Sequence, residues 1–279
     1  MLRISVQSFS RLVISAVVVI GLISPISAAE RTRVEDFLKI TGFDVALDSI
    51  ALSAGMAPEM LGLQENAFGS DWTRLAEDVF DETEMREEAL GLLERGLDDV
   101  LLEHTLDFYG SDLGQRIVNA ENLAHLDDDE VKQIAGEHII AAMVRVGDPK
   151  VQYFKRMNIA IDPSDTGVRA VQEVQVRFLL AAATSGVINL KVDEGALRAL
   201  MKEREAELRL SMQRSALKTA GFTYQEFSAD EVLAYTEALE DKKMQTVYEL
   251  MNAVHFEIMA RRFETLAHKM KDLHPGEDL

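Results

Sequence analysis

Sustained alternation of apolar and polar residues at period two is nearly absent from this chain, and five prolines in 279 residues leave long stretches free to coil. That pattern excludes a half-buried sheet and points to helices throughout. The spacing predicts helices through Val34, Phe37, Leu38, Val45, Ala51 and Leu52 to Gly55. A second set runs from Thr83 through Met85, Ala89, Leu92 and Leu93 to Gly96, and a third from Leu97 through Leu101, His104 and Phe108 to Tyr109. Ser111 reads as an N-cap, its hydroxyl free to accept from an unpaired amide, with Asp112 adding negative charge at the positive end of the next helix. Leu113, Ile117, Ala120 and Ala124 form the apolar side of that helix. Asp127–Asp129 open another, with Val131, Ile134, Ala135, His138, Ile139 and Ala142 as its expected buried side and Gly147-Asp148-Pro149 as its stop.

In the second half, Val171, Val174, Phe178 and Leu179 lead to Gly186. One long helix is expected to carry Leu197, Leu200, Met201, Leu208 and Met212 to Ala220-Gly221. Ser228 and Glu231 form a capping box ahead of Val232, Thr236, Leu239, Val247, Leu250, Met251, Val254 and Ile258. The tail from Leu273 is short and polar. Two local matches fall at the same offset of 131 residues: Asp48–Met56 with Leu179–Val187, and His104–Ala120 with Tyr235–Met251. A shared offset is what an internal duplication produces. The expected fold is therefore an all-α helical bundle of two similar units, 30–160 and 161–279, behind a leader at 1–29.

The leader has the secretory pattern. Arg3 and Arg11 precede the apolar run Leu12–Ile23, Ser24-Pro25 breaks it, and Ser27 and Ala29 put small residues at the −3 and −1 positions before Glu30. Twelve helical residues reach about 18 Å, short of the roughly 30 Å hydrocarbon core, so cleavage is expected rather than anchorage. No later run reaches eighteen apolar residues, and a periplasmic chain without a membrane span follows. Cleavage takes the formal charge from −19 to −21. Such a charge repels phosphate backbones, which argues against nucleic acid as a partner. The absence of cysteine excludes disulfides, thiolate chemistry and thiolate metal sites.

The stretch Phe108-Tyr109-Gly110-Ser111-Asp112-Leu113-Gly114-Gln115 resembles the Phe-Tyr-x-Ser-Pro-x-Gly-Lys/Gln motif of the bacterial exported domain-of-unknown-function family 2059. Asp112 stands where that family usually has proline or threonine. The resemblance covers about 85–146 and implies an exported helical protein. The family has no established activity, so it implies no catalytic residue. The residues give the motif a structural role: Phe108 closes the apolar side of the incoming helix, Tyr109 buries its ring with its hydroxyl bonded or wet, and Gly114 allows close packing. In the second half Leu239–Met244 lacks the aromatic and the glycine, so one continuous helix is expected there.

No catalytic, cofactor or metal site is assigned. The residues three before His104, His125, His138, His255, His268 and His274 are not acidic, so the Glu-x-x-His pattern of helical carboxylate metal sites is missing. Glu121 with His125 and Asp127–Asp129 is the one grouping with metal-ligand spacing; its plainer reading is an exposed helix end. His138 reads as a core histidine. The Gly-x-Ser-x-Gly elbow, the Walker loop and the dinucleotide fingerprint are absent. Met201, Met212, Met244, Met251, Met259 and Met270 read as core, with a methionine-lined ligand groove as the alternative. These observations favour a non-enzymatic module that binds a protein or peptide. A metal-assisted hydrolase assembled by the fold and a carrier of small apolar ligands are the alternatives.

Overall fold

The computed structural model describes residues 31–62, 69–162 and 165–271. The leader with its cleavage site and the tail from Leu273 lie outside these residues. Short acidic and hydroxyl side chains set half of the α-helix starts among the described residues. Helices α5 (Glu82–Gly96), α6 (Asp99–Tyr109), α7 (Asp112–Leu126) and α8 (Asp129–Val146) begin on Asp81, Asp98, Ser111 and Asp128, each accepting from a first-turn amide. Asp193, Ser228 and Asp241 do the same for α11 (Glu194–Glu203), α13 (Ala229–Leu239) and α14 (Lys242–Met270). The capping box of Ser228 and Glu231 is present in both directions. Gly147, left-handed at φ 71°, ends α8 as expected. The remaining helices are α1 (Arg31–Thr41), α2 (Phe43–Asp48), α3 (Ala57–Met60), α4 (Gly69–Val79), α9 (Lys150–Ile161), α10 (Gly167–Thr184) and α12 (Glu205–Thr223).

Three expectations about helix extent are corrected. The first helix does not run to Gly55. Gly42, left-handed at φ 71°, separates α1 from α2, and a 3-10 stretch, Ser49–Met56, follows. A β-carbon at Gly42 would meet Asn122 Oδ1 at 2.5 Å, so the corner also needs glycine for its close approach to α7. The long helix expected through Leu197 and Leu208 breaks at Arg204. Gln172 Nε2 donates to the Met201 carbonyl at 2.6 Å, and that oxygen accepts from the Arg204 amide in a tighter turn. The stretch Leu239–Met244 turns rather than continuing: α13 ends at Leu239 and Asp241 caps α14.

The helices enclose two hydrophobic cores. The first joins α1, α2, α5 and α6 to α10 and most of α14, with Phe37, Leu47, Met85 and Leu93 buried and Phe263 edge-on to both Phe80 and Phe178 at 5.5 and 5.3 Å. The second joins α7, α8, α9, α12, α13 and the start of α14 around Ile117, Phe154, Phe227, Val232 and Met244. Helix α14, 29 residues long, contributes Met244 and Tyr248 to the second core, and Val247 and then Leu250 to Met270 to the first.

The duplication is not confirmed. Asp48–Met56 is the last residue of α2 and the 3-10 stretch after it, whereas Leu179–Val187 closes the 18-residue α10. What the two halves share is a helix hairpin. Helices α6 and α13 are each 11 residues long, and Ser111 and Asp241 cap the helices that follow. The burial of Leu102, Tyr109, Ile117 and Ala124 matches that of Val232, Leu239, Val247 and Val254 at an offset of 130, one residue from the sequence alignment. Among the described residues no single helix is long and apolar enough to cross a membrane; α1 and the stretch 43–60 pass that test only together and are bent by 81°.

Candidate functional site

Four of the five tyrosines converge on one carboxylate. Tyr224, at the end of α12, donates to Glu121 Oε1 at 2.5 Å, and Tyr235 of α13 donates to the same oxygen at 2.8 Å. The Tyr109 hydroxyl lies 2.5 Å from that of Tyr248 and 3.1 Å from that of Tyr235, and Tyr248 and Tyr235 are also 3.1 Å apart. Each phenol has one hydrogen to give. With Tyr224 and Tyr235 committed to Glu121, Tyr109 and Tyr248 must share theirs so that one reaches the other and the second reaches Tyr235. The chain of donors therefore runs inward to the carboxylate, and every phenol proton has an acceptor when Glu121 is ionised. Burial lifts the Glu121 carboxyl above the ordinary glutamate range, and the two phenol bonds pull it part of the way back. Burial likewise raises all four phenols, which keeps them protonated donors. The arrangement ties α6, α7, the end of α12, α13 and α14 together. It is a closed polar network inside the second core.

The motif at 108–115 builds one wall of this network. Tyr109, 2% exposed, is its buried aromatic. Phe108, expected to close the apolar side of α6, is half-buried against the second core and stacked on Tyr235 at 5.7 Å. The helical register puts residue 109, not 108, on the side shared with Leu102 and Thr105. Ser111 Oγ accepts from the Gly114 amide and donates to the Phe108 carbonyl at 2.6 Å. A β-carbon at Gly114 would stand 2.3 Å from that carbonyl oxygen, so only glycine lets α7 start so close beneath α6. Gln115 Nε2 donates to the carbonyls of Tyr109 and Ile40, pinning the end of α6 to the end of α1.

The grouping with metal-ligand spacing, Glu121, His125 and Asp127–Asp129, is not brought together. Glu121 turns into the tyrosines, Asp128 caps α8, and Asp129 lies 3.6 Å from Lys132. Among the described residues no three His, Asp or Glu side chains are placed to hold a metal ion. His104 Nε2 pairs with Asp241 Oδ1 at 3.0 Å, and His268 Nδ1 with Ser185 at 2.7 Å. Burial, with the charge of nearby His125, pulls His255 down to about 4. His274 lies outside the described residues. Met244, Met251 and Met270 are buried, Met259 packs against the first core, and Met212 is half-buried. Met201 instead lines a groove of about 470 Å³ with Met60, Leu179 and Leu208. A second groove of about 450 Å³ lies between α10 and α14 over Val174 and Phe256; its Arg177 is held by Glu257 and Glu264, and its Glu173 by Arg198.

Helix α8 corrects one further expectation. Val131, Ile134 and His138, read as its buried side, point to solvent. The buried side is Lys132, Gly136 and Met143, with Ile139 and Ile140 packed against the second core. Glycine decides the face. A β-carbon at Gly136 would lie 2.1 Å from the Lys218 carbonyl oxygen, and one at Gly221 would lie 2.8 Å from Ile140, so α8 and α12 approach closely at these two positions. Helix α8 is thus apolar on two opposite sides. Its outer side carries Val131 and Ile134, 59% and 55% exposed, and exposed Ala141 and Ala142. Leu123 and Leu126, 67% and 70% exposed, precede the corner.

An all-helical, two-core bundle with a closed tyrosine–carboxylate network and an uncovered apolar helix face is the class that these features define. Residues 83–142, from α5 to α8, match the family described as an uncharacterized protein conserved in bacteria, DUF2059. They include the whole motif, Glu121 and the outer face of α8. No curated protein and no solved structure matches the chain.

Proposed function

We propose that this chain is an exported, periplasmic, non-enzymatic module that binds another protein or peptide. The observation that carries this reading is the outer face of α8. Single exposed apolar side chains are ordinary, but four large ones fall within the twelve positions 123–134, with exposed Ala141 and Ala142 further along the same helix. The face lies inside the segment that matches the bacterial family. The buried titratable cluster supports the same reading, because its phenols and carboxylate bond to one another and hold helices in place. The leader pattern at 1–29 and the high negative charge support export and solubility.

The test is site-specific photo-crosslinking in the cell envelope of the source bacterium. A photoreactive residue at position 131 or 134 should capture one discrete partner. The same residue at Ile159, 67% exposed on α9, should not. Equal yields at 134 and 159 would remove the face from consideration.

A further inference from the structure

We infer that the α7–α8 corner receives a basic amphipathic helix of a partner protein; this rests on the binding role proposed for the same face. The chemistry of the corner is unevenly distributed. Its N-terminal end is bordered by exposed Asp127, Asp129 and Glu130. The cation on the outer side of α8, Arg145, stands three turns further along. Lys132, the one cation in the first turn, is buried and gives its ammonium to the Ala124 carbonyl at 2.7 Å. Negative charge therefore gathers at the start of α8, and among the described residues Asp129 is the one of these three acids that is paired, at 3.6 Å from Lys132.

Such a surface selects its occupant on two counts. The ridge at 131, 134, 138 and 141 or 142 has the three-to-four spacing that accepts the apolar side of a second helix. The acids beside it favour a helix that carries Lys or Arg along the border of that side, above all where it crosses the corner. A second copy of this chain is a poor occupant. Each copy carries a formal charge of −19, or −21 without the leader, and brings its own Asp127, Asp129 and Glu130 to the contact.

The probe is a designed Leu/Lys amphipathic peptide of about 18 residues, titrated against chain 30–279 by fluorescence anisotropy. Two controls have the same composition scrambled out of register, and the same apolar side with Glu in place of Lys. The variant Asp127→Asn/Asp129→Asn/Glu130→Gln leaves the capping Asp128 intact, and Ile134→Ser opens the apolar ridge at an exposed position. The basic amphipathic peptide should bind and become helical by circular dichroism. It should bind about tenfold more weakly to the triple variant at low salt, and more weakly again to Ile134→Ser. Equal binding of the acidic peptide would overturn the charge selection and leave the apolar docking role standing. Equal binding of the scrambled peptide, with no effect of Ile134→Ser, would reduce the interaction to bulk charge and overturn the inference. No binding by any peptide overturns it also: if sedimentation then shows a dimer that Ile134→Ser dissociates, a second copy covers the face, and if it shows a monomer the docking role fails with it.

Discussion

The two cores solve the same packing problem with different chemistry. In the first, Phe80, Phe178 and Phe263 meet edge to face among leucines and methionines, and nothing at the centre needs a hydrogen-bond partner. In the second, four phenols surround one carboxylate. The first gains from burial alone and tolerates any apolar shape of about the right volume. The second gains from burial only while each donor keeps its acceptor, because an orphaned buried polar group forfeits what the ring contributes. A core of the second kind fixes which helices meet and in what register. The first kind mainly fixes how tightly they meet.

The comparison can be broken by substitution. The largest effect should come from the apolar side: Phe263→Ala removes a ring shared by Phe80 and Phe178 and should cost about 3–5 kcal/mol in denaturant unfolding. Wild-type behaviour would mean that the first core does not centre on Phe263. On the polar side, Glu121→Ala leaves Tyr224 and Tyr235 without their acceptor and should cost about 2–4 kcal/mol. Glu121→Gln keeps an acceptor oxygen and should recover most of that loss; if both variants unfold alike, the phenols do not depend on this residue. Tyr109→Phe keeps the ring and removes one member of the donor chain, for about 1–1.5 kcal/mol. This is a larger effect than expected for a wet hydroxyl, and calorimetry of the two proteins side by side would read it.

The smallest effect is one of pH. Burial puts the native Glu121 carboxyl above its unfolded value, so over that interval the folded state holds the proton more firmly than the unfolded state. The contribution of this group to stability is greatest below the ordinary glutamate range and falls as pH rises through the native value. Wild type should therefore gain on Glu121→Gln when the pH is lowered from neutral toward the ordinary glutamate range. Phe263→Ala, measured in the same series, should show no change in its difference from wild type over that window. A constant gap between wild type and Glu121→Gln would place the carboxylate in water.

Helix caps and stops were legible locally, since Ser111, Ser228 with Glu231, and Gly147 act through neighbours within a turn. Glu121 was not, because its partners Tyr224 and Tyr235 are 103 and 114 residues away and no periodicity links them. The one available hint was that a chain with five tyrosines placed one in a motif where its hydroxyl needed a partner. The side of α8 was misread for a different reason. Helical spacing identifies an apolar side, but α8 has two, and only the glycine pair Gly136 and Gly221 says which one meets α12. The sequence resemblance at 108–115 located the hairpin and left open which of Phe108 and Tyr109 turns inward.

Helix α14 crosses from the second core to the first without a break. Because both cores pack on this one helix, they are expected to unfold together, with the boundary between them one of chemistry and not of cooperativity. In hydrogen exchange, amides near Val247 to Ile258 should open only with the whole molecule, giving a single slowest-exchanging class that serves both cores. A stretch of chain that two packing regions share in this way acts as the timer of the molecule: its rate of release sets how long either region survives a protease.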